Sequence, residues 1–171
     1  MSDWGVAVYG DPCHQCGYHW AISMPDAVAL VSDVPSDYGT LLGGRSGIER
    51  HGDLRWSVAD YVSHVADNLR IWAERLMGVV MGAPPVVGAY DENELARARN
   101  YPGIPIQAAL WSLGRCVDDW LEAVGSAPHS GVVLIHPERG ELTLRDVVVS
   151  NAHDARHHRW DIERTLLGHG F

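Results

Sequence analysis

The residues of this chain that could do chemistry crowd into one stretch near its end. Ser150-Asn151-Ala152-His153-Asp154-Ala155-Arg156-His157-His158-Arg159-Trp160-Asp161-Ile162 places three histidines and an aspartate within six residues. Two i,i+4 pairs result, His153/His157 and Asp154/His158, and side chains four apart stack on one helix face. Either pair could clasp a divalent ion, because imidazole and carboxylate are both metal ligands. At about 100° per residue, Leu144, Val147, Val148, Asn151, Asp154, Ala155, His158, Ile162 and Leu166 share one arc, the core-facing one. Asp154/His158 then points inward, while His153/His157 sits on a polar flank beside Trp160. A buried carboxylate beside an imidazole must be neutralised, by a divalent cation or by an imidazolium in an ion pair.

A second cluster lies near the start, in Pro12-Cys13-His14-Gln15-Cys16-Gly17. Cys-x-x-Cys-Gly resembles one zinc knuckle, the turn that lets two thiolates reach one ion, and it supplies half of a tetrahedral site. The missing ligands could be His14 or His19 nearby, or His153/His157 if this arm packs on the last helix. A redox-active dithiol and two plain thiols in a loop are the rival readings. Cys116 stands alone.

Four long helices must position these groups. Ser23-Met24-Pro25-Asp26 is a capping pattern that starts a helix, which Pro35 should break or kink before Tyr38. Ser57 and Asp60 cap a second helix running to about Met81, with Val58, Tyr61, Val65, Asn68, Leu69, Trp72 and Leu76 on its apolar arc and His64 at the edge. Pro105 to Val124 forms a third, stopped by Gly125, and Thr143-Leu144-Arg145-Asp146 caps the last, stopped by Gly168. Two short strands around Pro137-Glu138-Arg139-Gly140 form a hairpin before the last helix. Gly43 to Gly47 reads as a flexible loop. The stretch from Gly82 to Gly103 reads as a polar, turn-rich connection or a wall over a site.

The expected fold is therefore all-α: a four-helix bundle at 23–171, a short β-hairpin before the last helix, and an N-terminal Cys-x-x-Cys arm at 1–22. Metal sites in such bundles form from side chains on facing helices. His64 with Asp154 and His158 would supply three ligands from two helices, leaving a position open for water or substrate. Asn151, Tyr61 and Asp161 are placed to orient those ligands.

Composition narrows the partners. A net charge of -9 over 171 residues opposes binding to a nucleic-acid backbone, which takes clustered Lys and Arg. No apolar run reaches the roughly 18 residues of a membrane span. Met1-Ser2-Asp3-Trp4 lacks the charged and apolar regions of a signal peptide. Three cysteines do not suit a disulfide framework, so a cytoplasmic location is expected. The partners expected are a small-molecule substrate and, at most, a second copy of the chain.

Trp-Ser-x-x-Asp-Tyr-x-x-His-Val-x-Asp at residues 56–67, followed by a hairpin, Thr143-Leu144, and His-Asp-x-x-His-His-x-x-Asp-Ile at 153–162, resembles the DinB-like (YfiT-like) superfamily of metal-binding four-helix bundles. The likeness spans roughly residues 23 to 167 and leaves the cysteine arm outside it. It implies a divalent ion held by His64 and His158. Asp154 stands where many relatives carry histidine and where an isomerase-like branch carries a carboxylate. Zinc is the metal the resemblance favours, with nickel or iron as alternatives. The activity it implies is that of a thiol S-transferase or isomerase, as in the mycothiol-dependent maleylpyruvate isomerase, or of a hydrolase. A metal-activated thiol or water would be the nucleophile, with a low-molecular-weight thiol as cosubstrate in the first case. The alternative is a non-catalytic metal-binding stress-response protein whose zinc is structural.

Overall fold

The computed structural model describes residues 4–128 and 131–168. Four long helices form the bundle: α2 (Met24–Leu41), α3 (Val58–Val80), α5 (Ile106–Ser126) and α6 (Leu144–Gly168). A one-turn helix α1 (Val6–Tyr9) precedes them, and α4 (Glu92–Ala98) lies between α3 and α5. Strands β1 (Val133–His136) and β2 (Gly140–Thr143) pair antiparallel just before α6. Helix α3 packs most extensively on α5, and α6 packs against both α2 and α3. The core they enclose is built on Tyr38, Leu69, Leu76, Leu113, Trp120 and Ile162, all fully buried. No helix among the described residues is long and apolar enough to cross a membrane.

Capping starts the two helices that carry the chemistry. At α3 the Ser57 N–H donates to Asp60 Oδ2 (3.0 Å), and the Asp60 N–H donates to Ser57 Oγ (3.3 Å). Two orphan donors of the first turn are thereby satisfied. Arg50 lies 3.0 Å from the same carboxylate and compensates its burial. The residue before the cap, Trp56, packs on Tyr61 with ring centroids 5.5 Å apart, the hydrophobic staple that fixes how the chain enters the helix. Thr143 and Asp146 repeat the capping box at α6. Ser57→Ala should cost about 1 kcal/mol and lower the melting temperature by roughly 2–4 °C, as calorimetry would show.

The structure refines three expectations about the chain's path. Of the break or kink expected at Pro35, the break is absent, and α2 runs on to Leu41. Proline removes one backbone bond, but Val31, Val34 and Tyr38 on either side of it are buried, and the Tyr38 hydroxyl donates to the Ala155 carbonyl (2.8 Å). The 43–47 segment is packed at its end. Gly47 (φ +81°) packs so closely that an added Cβ would meet Ile106 Cβ at 2.8 Å, and its carbonyl accepts from Ala59 N–H (2.8 Å). The connection after α3 is structured, containing α4 and a 3-10 turn at Tyr101–Gly103. Buried Asp67 anchors it, accepting from the Tyr101 hydroxyl (2.7 Å) and pairing with Arg99 (3.0 Å). Helix α5 also passes Gly125 by one residue, within ordinary fraying.

Candidate metal centre

The capping boxes set the phase of α3 and α6, and that phase brings His64, Asp154 and His158 together. One ligand atom from each lies within 4.8 Å of the others. His64 Nε2 is 3.7 Å and His158 Nε2 is 3.5 Å from Asp154 Oδ1. The far sides of His158 and Asp154 are held. Asp161 Oδ2 lies 2.9 Å from His158 Nδ1, and Asn68 Nδ2 donates to Asp154 Oδ2 at 2.9 Å. Asn68 is itself fixed by the Tyr90 hydroxyl, which donates to its Oδ1 (3.2 Å). Trp56, positioned by its staple, covers His64 at 4.8 Å between ring centroids.

The residues expected to orient ligands separate into three cases. Asp161 hydrogen-bonds a ligand candidate. Tyr61 lays its ring against His158 (5.2 Å between centroids) without bonding it. Asn151 spends its amide oxygen on the indole N–H of Trp120 (2.9 Å) and so ties α6 to α5. Asn68, Tyr90 and Trp56 add support that the sequence analysis did not name. A polar residue on the apolar arc four positions after His64 was the signal for Asn68, and the staple was the signal for Trp56. Tyr90 left none, because its place depends on how 82–104 folds back.

Electrostatics couple these groups. Burial alone would lower the His158 pKa, but the Asp154 carboxylate and the bonds to Asp154 and Asp161 prevail and push it up to about 9. Burial would raise Asp154, yet the two histidines hold its carboxyl well below the usual range. These shifts favour an aspartate–imidazolium pair, and a cation binding between the two groups must displace a proton.

The site opens into a cavity of about 740 Å3. Asp154 keeps 26% of its side-chain surface exposed there. Trp4, Tyr9 and Trp20 of the arm form one wall, Tyr90 and Glu92 a second, and His136, Glu138 and Arg139 of the hairpin a third. The segment between α3 and α5 is thus a wall of the cavity as well as a connection.

The remaining cluster sits back to back with this one on the same helix. Cys13, Cys16, His153 and His157 each bring a ligand atom within 4.8 Å of the others. The flank of α6 that carries His153 and His157 is covered by the arm, one of the placements the sequence left open. His153 is only 5% exposed, packed by Tyr9 (4.6 Å), Tyr18 (5.3 Å) and Trp20 (4.4 Å) of the arm. Burial, reinforced by His157, pushes His153 down to about 4, so the ring is neutral at pH 7. Burial also pushes the Cys16 thiol up to about 11, opposite to the need of a redox-active dithiol. His14 and His19 are not part of the cluster.

With fold and site described, the class follows. A profile of the DinB superfamily matches residues 45–162, and the chain belongs to that superfamily. Among solved structures it is similar to YfiT from Bacillus subtilis, described as "a probable metal-dependent hydrolase with an unusual four-helix bundle topology". The TM-score is 0.77 at 17% identity, covering 88% of this chain and 91% of that one. A comparison with curated proteins found no match.

Proposed function

We propose that this chain is a divalent-metal-dependent enzyme that acts on a small anionic molecule, with hydrolysis as the leading reaction. The observation that carries the reading is the convergence of His64, Asp154 and His158 on one point at the floor of a cavity of about 740 Å3. That volume lies in the range of small-molecule sites, about 300–1,000 Å3. The donor set fits a divalent ion. Two imidazoles and a carboxylate suit zinc, iron or nickel, and a carboxylate behind a ligating histidine is the usual outer-shell partner. His64 turns Nε2 toward Asp154, and its Nδ1 is buried without a hydrogen-bond partner among the described residues. A bound ion would supply Lewis-acid chemistry, making water or a thiol nucleophilic near neutral pH and polarising an electrophile.

The protein's own residues account for orientation and selection. Asp161 fixes the His158 ring so that Nε2 faces the centre, while Asn68 and Tyr90 hold the Asp154 carboxylate. Arg75 packs over Trp72 (4.5 Å) and Tyr90 (5.7 Å), and Arg139 lies over Trp4 (5.6 Å). His136 Nδ1 accepts from the N–H groups of Glu138 (3.2 Å) and Arg139 (3.3 Å), which presents Arg139 at the cavity wall. Among the described residues neither arginine has a carboxylate within ion-pair distance. Glu92 on the neighbouring wall is paired with Arg55 (3.7 Å). Two neighbouring guanidiniums against aromatic faces make a receptor for a carboxylate-bearing substrate.

Thiol transfer is the second reading, favoured by a cavity roomy enough for a substrate beside a low-molecular-weight thiol. A panel of small esters, amides and epoxides, with and without a carboxylate and with and without added thiol, tests both. Chelation should abolish turnover and zinc, nickel or iron should restore it. Arg75→Ala should raise KM for the carboxylate-bearing member about tenfold or more and leave the neutral member unchanged. Equal loss on both would remove the anion assignment, and turnover indifferent to chelation would remove the enzyme reading.

A further inference from the structure

The two cysteines of the arm do not line the cavity just described, and their packing needs an explanation. Eighteen residues, 4–21, contain one turn of helix and little else. Yet Cys13, Cys16 and Tyr18 are buried in the same core as the bundle. A knuckle-like turn presents the two sulfurs together: Cys13 N–H donates to the Tyr18 carbonyl (2.8 Å) and Gly17 N–H to the Cys13 carbonyl (2.9 Å), with Gly17 at φ +70°. On the facing helix, i,i+4 spacing presents His153 and His157. Cys13 Sγ lies 3.8 Å from His157 Nδ1. His153 Nε2 is buried without a hydrogen-bond partner among the described residues. Neither thiol is engaged in a disulfide.

We infer that Cys13, Cys16, His153 and His157 form a second, structural metal site, a tetrahedral Cys2His2 centre for zinc that clamps the arm onto α6. Two thiolates and two imidazoles are the donor set that selects zinc, and Cys-x2-Cys with His-x3-His is the spacing at which such ligands close on one ion. Tetrahedral bond lengths require about 3.3–3.8 Å between ligand atoms. Cys13 and His157 already stand at that distance, and the widest separation in the cluster must shrink by about 1 Å. All four positions are taken by protein, so this ion has no opening for substrate. Its role is placement: the arm it holds carries Trp4, Tyr9 and Trp20, one wall of the cavity. That consequence rests on the proposed function; the zinc site itself does not.

The test is made on full-length protein purified without added metal, then stripped and titrated with cobalt. The wild type should show an intense tetrahedral cobalt spectrum with a thiolate-to-cobalt charge-transfer band, and so should His158→Ala. Cys13→Ser/Cys16→Ser should lack that band while still binding one ion. Absence of the thiolate band from the wild type, which needs no variant to fold, would overturn the inference. So would a Cys13–Cys16 disulfide in freshly purified protein. If His158→Ala and the wild type each bind one ion and both show the thiolate band, the bundle centre fails and the arm site stands. If every bound ion disappears in His158→Ala, the arm site fails and the bundle centre stands.

Discussion

Replacing His158 by alanine is expected to lower the affinity of the bundle centre for a divalent ion by more than 100-fold, whereas His157→Ala leaves it close to wild type. The two residues are adjacent in sequence and separated by the phase of α6. His158 Nε2 lies 3.5 Å from Asp154 Oδ1 and shares the centre with His64, while His157 Nδ1 faces Cys13 Sγ at 3.8 Å. Removing a partner behind a metal ligand typically costs 10- to 100-fold in affinity, so removing the ligand should exceed roughly that range. Asp161→Asn, which keeps the shape behind His158 and removes the charge, should fall within roughly 10- to 100-fold. Chelator competition measured in the Cys13→Ser/Cys16→Ser background isolates the bundle ion, and circular dichroism confirms the fold. Unchanged affinity in His158→Ala, with loss in His157→Ala, would mean that the wrong face of α6 had been assigned.

The largest effect on stability should come from Trp120→Ala, a loss of about 4 kcal/mol within the usual 3–5 kcal/mol range for deleting a buried aromatic. Trp120 is fully buried, and its indole N–H is the partner of Asn151 Oδ1 at 2.9 Å. Alanine leaves a cavity between α5 and α6, and the buried amide oxygen that it strands, about 1–3 kcal/mol if water does not enter, is part of that loss. Against a total of about 5–15 kcal/mol, such a change removes a large part of the fold's stability. The melting temperature should fall by roughly 8–16 °C. Trp120→Phe, which retains much of the volume, should cost distinctly less. Equal losses in the two variants would show that the hydrogen bond, and not packing, dominates there.

The Trp120–Asn151 link illustrates how tertiary contacts reassign residues read from a helix wheel. Asn151 shares the inward arc of α6 with Asp154 and His158, which made it a natural neighbour for a ligand. One turn along the helix the partner element is α5, and an indole donor claims its oxygen. Asn68 underwent the opposite change. Its place on the apolar arc of α3 marked it as core, but it reaches Asp154 because α3 and α6 meet at that level.

What the sequence by itself determined was local and periodic. Capping boxes at Ser57/Asp60 and Thr143/Asp146 set where α3 and α6 begin, and therefore which residues share a face 7 or 11 positions later. That phase is why His64, Asp154 and His158 could be named before any coordinates, and why the bundle with its hairpin was legible. Only the tertiary structure decided which surfaces were covered. Periodicity put His153 and His157 on a polar flank and left open whether the arm covers it, because it describes one helix at a time; an arm some 140 residues away in the chain packs there, burying His153 and half-burying His157. The continuation of α2 through Pro35 was settled in the same way, by side chains whose burial outweighs one missing backbone bond. The cavity walls, too, come from three segments with no shared pattern, brought together by the pairing of Asp67 with Arg99 and Tyr101 and by the docking of the arm on α6.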